Sequence, residues 1–154
     1  MPSGTISSSG TSVTGTGTFF TTEVPVNQVV IANGEAKAVV SVTDDTHLTV
    51  NTAWQDSTPS GSSFTVAGRG IARNGDPCGG VIEATALTTF VNFLPVARLT
   101  DPISAHGTGP HAAATLVESS LTVVAEGKFI CRLGDAASCG HTISSASLNS
   151  FNSL

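Results

Sequence analysis

The chain has 154 residues, a formal net charge of −5, 11 % charged and 5 % aromatic residues. Only six residues are basic, so no patch can follow a phosphate backbone and nucleic acid is excluded as a partner. So few large apolar and charged side chains argue against one deep-cored monomer and favour thin, sheet-rich structure braced by a metal or by an assembly.

Gly, Ser and Thr are abundant and the apolar share is mostly Val, Ala, Ile and Leu, a mixture that makes strands and tight turns and predicts an all-β protein. Met1-Pro2-Ser3-Gly4 lacks the charged and apolar regions of a signal peptide, and no apolar run reaches membrane-spanning length. Export by a classical signal is therefore not expected. The three cysteines (Cys78, Cys131, Cys139) are odd in number and suggest no disulfide framework, so they read as reduced thiols.

Residues 1–67 form a first module with no Cys, no Arg and one His. Strands are expected at 12–16, 18–24, 28–32, 36–42, 47–50 and 63–66. Asn33-Gly34 predicts a hairpin, Asp44-Asp45 a second turn, and the stretch 56–61 a loop. A small β-barrel or sandwich follows, with Phe19, Val30, Val40, Leu48 and Trp54 as its candidate core. His47, at a strand start after Asp44-Asp45-Thr46, reads as a surface residue.

Residues 68–154 have a different organisation. Ala72-Arg73-Asn74-Gly75-Asp76-Pro77, Ala97-Arg98-Leu99-Thr100-Asp101-Pro102 and Cys131-Arg132-Leu133-Gly134-Asp135-Ala136 can be superimposed, each with Arg-x-x-Asp. The arginines lie 25 and 34 residues apart, which makes three units with unequal loops. Three of the four arginines occupy this slot, and a repeated Arg–Asp pair most simply ties adjacent turns together. Hairpin-like strands at 86–93 and 120–125 separate the copies, and 111–117 is the one stretch expected to make a helical turn or two.

The chemistry-bearing residues flank these turns. His106-x4-His111 and Cys139-x-His141 hold three of the four histidines and one thiol. If the repeats pack around an axis, their turns converge at one end and deliver an N3S set, which suits tetrahedral zinc. Four protein ligands leave no open position, so such a zinc is structural, one per chain. Cys78 lies at the corresponding place in the first repeat and is a weaker candidate ligand, read first as a small buried residue. Cys131 is expected to be buried and inert.

Together Pro95-Val96-Ala97-Arg98-Leu99-Thr100-Asp101-Pro102, His106-Gly107, Arg132-Leu133-Gly134-Asp135 and Ser138-Cys139-Gly140-His141 resemble the PAAR-repeat family, over about residues 68–154. The eponymous Pro-Ala-Ala-Arg is Pro-Val-Ala-Arg in the middle copy and departs further in Gly70-Ile71-Ala72-Arg73 and Phe129-Ile130-Cys131-Arg132. The resemblance implies a conical domain of β-hairpins with zinc at its vertex, held by three histidines and one cysteine. It further implies a monomeric cone whose base sits on a trimeric β-helical spike protein, as the spike tip of a contractile phage tail or a type VI secretion system. On that reading the protein is assembled in the bacterial cytoplasm and carried in the virion baseplate. It meets other baseplate proteins there and touches the bacterial outer membrane transiently as the spike penetrates. Phage is preferred, with a type VI adaptor carrying a small extension domain as the alternative.

An enzyme is not expected. There is no His-x-Glu to accompany Pro77-Cys78-Gly79-Gly80 as a zinc deaminase would need, no Gly-x-Ser-x-Gly elbow, no phosphate loop and no His-Glu-x-x-His. Ser, His and Asp are common enough that their presence carries no catalytic information. Two rivals stand beside the spike-tip reading: a zinc-dependent hydrolase, and an adhesin or glycan-binding module centred on residues 1–66.

Overall fold

Asn33-Gly34 makes the hairpin its composition demands: in the computed structural model, which describes residues 2–56 and 58–152, both residues are left-handed, at φ 51° and 84°. They join β3 (Gln28–Ala32) to β4 (Glu35–Asp44), with Ala32 opposite Glu35. The chain divides into two compact units, Met1–Gly68 and Arg69–Leu154.

The first unit adds β1 (Thr5–Ser9), β2 (Ser12–Thr16), β5 (His47–Val50) and β6 (Phe64–Gly70), in sheet order β1-β2-β5-β4-β3-β6. Ile6 in β1 bridges back to Ser62, just before β6, through a reciprocal pair of 2.9 Å backbone bonds. That contact closes the sheet on itself, so the described residues of the unit form a barrel. Its core holds Ile6, Val13, Phe20, Val24, Val30, Val39, Leu48, Val50, Trp54 and Phe64. The Phe20 and Phe64 rings meet edge to face at 6.0 Å, and Trp54 Nε1 donates to Ala32 O at 3.3 Å.

Three expectations for this unit need correction. Residues 18–24 do not form a strand: Phe20–Glu23 is a single helical turn, α1. The turn places Phe20 and Val24, four residues apart, together on one fully buried face, which strand alternation cannot do. Phe19 and Val40 are 54 % and 55 % exposed, while their neighbours Phe20 and Val39 take the core positions. In each apolar doublet a one-residue slip exchanges the inner and outer side chain. β1 was not anticipated, because Ile6 is its single large apolar residue.

The second unit is a threefold pseudo-symmetric ring written in backbone hydrogen bonds. Ala72 N–H donates to Cys131 O at 2.9 Å, Cys131 N–H to Ala97 O at 2.8 Å, and Ala97 N–H to Ala72 O at 2.8 Å, a closed triangle. Two residues further along each copy, Asn74, Leu99 and Leu133 donate to Pro95, Phe129 and Gly70, each at 2.8 Å. The axis is lined by Ala72, Ala97 and Cys131, all fully buried, so three strands approach where nothing larger fits. Cys131 thus sits in an alanine's place.

The Arg-x-x-Asp segments are β-turns of one kind. In each, the Asp N–H donates to the Arg carbonyl at 3.1, 3.0 and 3.0 Å, and an Asp Oδ2 accepts the Arg N–H at 2.8 Å. The third turn residue is left-handed in all copies: Gly75, Gly134 and, less comfortably, Thr100 at φ 72°. Two short hairpins, β9 (Phe90–Val91) with β10 (Leu94–Pro95) and β11 (Val124–Ala125) with β12 (Lys128–Phe129), fill two sectors. The third sector pairs the end of β6 with β13 (Phe151–Asn152), Gly70 opposite Phe151 and Arg69 opposite Asn152. Both units are all-β, as the composition implied. The expected helix at 111–117 is instead a 3-10 turn at Gly109–His111, set by Pro110, after which Thr115 and Leu116 join bridges to Pro102 and Ala137.

Candidate metal centre

Beyond each Asp turn the chain makes a loop at one end of the ring, and the three loops differ in length. In the first copy β7 (Pro77–Cys78) and β8 (Gly80–Val81) are joined so tightly that Cys78 faces Gly80. In the second, ten residues separate Ile103 from Ala114, which pair through a 2.9 Å backbone bond. In the third, Ser138-Cys139-Gly140-His141 is closed by Ala137 N–H on His141 O at 2.8 Å, with Gly140 left-handed at φ 88°.

The long loop folds back so that His106 N–H donates to His111 O at 3.1 Å, bringing both imidazoles to the third copy's loop. His106, His111, Cys139 and His141 come together, each offering one ligand atom, all within 4.8 Å of one another. The three imidazoles form a nearly equilateral triangle with centroids 5.1, 5.2 and 5.2 Å apart. His106 Nε2 lies 3.2 Å from His111 Nδ1, and Cys139 Sγ lies 3.5 Å from His141 Nδ1. Tetrahedral zinc with ordinary Zn–N and Zn–S bonds would set its donors about 3.3 Å apart for two nitrogens and about 3.5 Å for nitrogen and sulfur. The donor set therefore fits a tetrahedral ion in both composition and spacing.

An outer hydrogen bond supports this arrangement. His106 Nδ1 is 2.8 Å from Ser104 O, so Nδ1 carries the proton and Nε2 presents a lone pair to the centre. His106, His111 and Cys139 are half-buried and His141 is exposed, which places the cluster at the rim of the unit.

Cys78 does not join the cluster. It packs in the core beside Ile82, Ile103 and Ala137, where burial first, and the nearby Cys139 second, push its thiol up to about 11. Cys131 is likewise an apolar filler, its thiol raised further by burial on the axis. His47 lies on the surface of the first unit, 2.9 Å from Asp44 Oδ1.

Four residues of this architecture escaped the sequence reading. Arg69, just outside the first repeat, bonds Asp135 Oδ1 at 2.7 Å and Leu133 O at 2.6 Å. Glu126, in a hairpin turn, accepts N–H bonds from Leu87, Thr88 and Thr89 and a 3.0 Å bond from Arg98 Nη1. Those backbone bonds, led by Thr88 and Leu87, hold its carboxyl down at about 2. Gly79 and Gly80 lie against the imidazoles themselves. For the two glycines the one available signal was symmetry: the repeat alignment sets them opposite the ligand-bearing loops of the other two copies.

Residues 76–145 match the family model described as the PAAR motif. No curated protein matches the chain. With three superimposable Arg-x-x-Asp turns closing one ring and a His3Cys cluster at one end of it, the second unit of this chain carries the PAAR motif across residues 76–145.

Proposed function

We propose that this protein is a structural spike tip: its second unit caps a trimeric β-helical spike of a contractile phage tail, and one structural zinc at His106, His111, Cys139 and His141 hardens the point. The motif match supports the coarser part, a PAAR-type spike tip. The observation that carries the rest is the ring's repeated apolar exterior. Val96, Ile130 and Ile71 donate to Thr89, Val123 and Ser150 in the three sectors, which makes Phe90, Val124 and Phe151 equivalent positions. By the same register Leu87, Leu121 and Leu148 are equivalent. Leu87 and Leu121 are 81 % and 84 % exposed, Phe93 at a hairpin turn is 99 % exposed, and Leu148 and Phe151 in the third sector are half-buried. A monomer with one apolar motif in three sectors suits a partner that presents three identical chain ends.

The proposed zinc has a mechanical role. With four protein ligands it offers no site for a substrate, so the protein acts by shape and rigidity and is not an enzyme. Local support comes from the fully buried Asp101 and from Asp135, bound by both Arg69 and Arg132, which tie neighbouring turns without a large apolar core. The phage setting is preferred here over a type VI adaptor because the Gly- and Thr-rich hairpins of the first unit resemble, in sequence, accessory β modules of phage structural proteins. On this reading the protein rides at the baseplate tip of the virion and contacts the bacterial outer membrane only during penetration.

Co-expression with a trimeric β-helical spike protein from the same genome, followed by native mass spectrometry, tests the proposal. The expected complex holds one copy of this chain per spike trimer. A 3:3 complex, or no complex, would contradict it.

A further inference from the structure

The first repeat gives no ligand to the cluster, yet its turn lies closest to the rings. A Cβ on Gly79 would fall inside van der Waals contact with His141 Nδ1, 2.7 Å from His141 Cγ and 3.0 Å from His106 Nε2. A Cβ on Gly80 would collide with Ser104 O, and would lie 2.8 Å from His106 Nδ1 and 2.9 Å from Ser104 Oγ. Ser104 O and His106 Nδ1 are the two ends of the hydrogen bond that fixes the His106 tautomer. Ser104 is also tied to this turn by its own N–H on Val81 O and by Val81 N–H on its Oγ, both at 2.9 Å. It therefore cannot retreat from a side chain at position 80 without breaking those bonds.

We infer that Gly79 and Gly80 are positioning residues of the metal centre: the ligand-free turn is its third wall, and the lack of side chains there sets where His106 and His141 present their nitrogens. This rests on the zinc reading above and adds to it a cause for the unequal loops. Two loops supply four donors around one ion, and the third must be stripped to backbone so that the imidazoles can reach across the axis. The two glycines act differently. Gly79 is left-handed at φ 78°, whereas Gly80 is not, so a side chain at position 80 tests steric contact free of backbone strain.

The experiment uses the full chain with Gly80→Ala, Gly79→Ala and Gly75→Ala. Gly75 is left-handed at φ 89° with nothing within 4 Å of an added Cβ, so Gly75→Ala carries the backbone strain of Gly79→Ala without the contact. Zinc affinity is measured by chelator competition, geometry by the visible spectrum of the cobalt-substituted protein, and folding by circular dichroism. Gly80→Ala and Gly79→Ala are expected to weaken zinc binding about 10- to 100-fold, the range for changes just outside the ligand shell, and to alter the cobalt spectrum. Gly75→Ala should keep both. Unchanged affinity and spectrum in Gly80→Ala would overturn the inference while leaving the zinc site standing. Absence of zinc from the unmutated chain would overturn both. Should Gly80→Ala fail to fold, the contrast between Gly79→Ala and Gly75→Ala decides: equal zinc affinity refutes the third wall.

Discussion

The two units have the same secondary structure and are held together differently. The barrel encloses Phe20, Phe64, Trp54 and a shell of Val, Ile and Leu, so apolar burial dominates its stability. The ring has no aromatic residue in its main core, which is built from Ala72, Ala97, Ala114, Ala137, Cys78 and Cys131 with Ile82, Ile103, Leu116 and Ile143. In exchange it buries charge: Asp76, Arg98, Asp101, Arg132 and Asp135 are all inside. Three backbones meeting at an axis leave too little space for large side chains. Cohesion then rests on directional bonds and, on the zinc reading proposed above, on a metal at the end where the loops converge. One chain thus shows two uses of the same few aromatic residues: in the barrel three of them fill the core, whereas in the ring all four stay outside the main core.

The largest effect that could break this contrast is metal removal. Zinc bound by four ligands is worth on the order of 10 kcal/mol in small domains. A chelator should therefore lower the thermal transition of the ring by tens of degrees and leave that of the barrel in place, as followed by calorimetry of the whole chain. Equal shifts in both transitions would erase the distinction.

Next come two substitutions of similar size with opposite zinc dependence. Phe20→Ala empties the centre of the barrel and should cost about 3–5 kcal/mol, with or without zinc. Asp135→Ala strands Arg69 and Arg132, whose guanidinium groups lie 2.7 and 3.4 Å from its carboxylate. Breaking so buried a pair should also cost about 3–5 kcal/mol, and only in the ring's transition. Denaturant titration of both variants checks the assignment.

A pH experiment sharpens the role of Glu126. Its carboxyl is lowered from 4.5 to about 2 in the folded chain, chiefly by the backbone N–H groups of Thr88 and Leu87. A depressed carboxylate stabilises above its unfolded value, and that contribution is lost as pH falls from about 4.5 towards about 2. Glu126→Gln should flatten this part of the ring's acid denaturation profile, and an unchanged profile would show that the hairpin tie is idle. The smallest effect concerns Thr100, a β-branched residue at φ 72°. Thr100→Gly should relieve that strain and stabilise by less than about 1 kcal/mol, part of the gain being offset by loss of the Lys128 Nζ bond to Thr100 Oγ1 at 2.8 Å.

Much of this was legible in the sequence, because the relevant physics is local. Asn33-Gly34 specifies its own turn, and Arg-x-x-Asp specifies another three times over, so the repeat and the four metal-ligand candidates could be read from spacing. Other features depended on pairing across the fold. Whether Phe19 or Phe20 faces inward is decided by a helical turn that also buries Val24. Arg69 belongs to the ring because its strand pairs with Asn152, more than eighty residues away in sequence. Gly79 and Gly80 were hardest to read, since a missing side chain has no pattern of its own and acquires meaning only from the imidazoles beside it.

The most direct test is the metal content of the purified chain, measured by mass spectrometry for the unmutated protein and for His141→Ala. The expected result is about one zinc per chain, since one four-ligand shell holds one ion, with a marked loss in His141→Ala. No zinc in the unmutated chain, or full zinc in His141→Ala, would contradict a metal-fixed point.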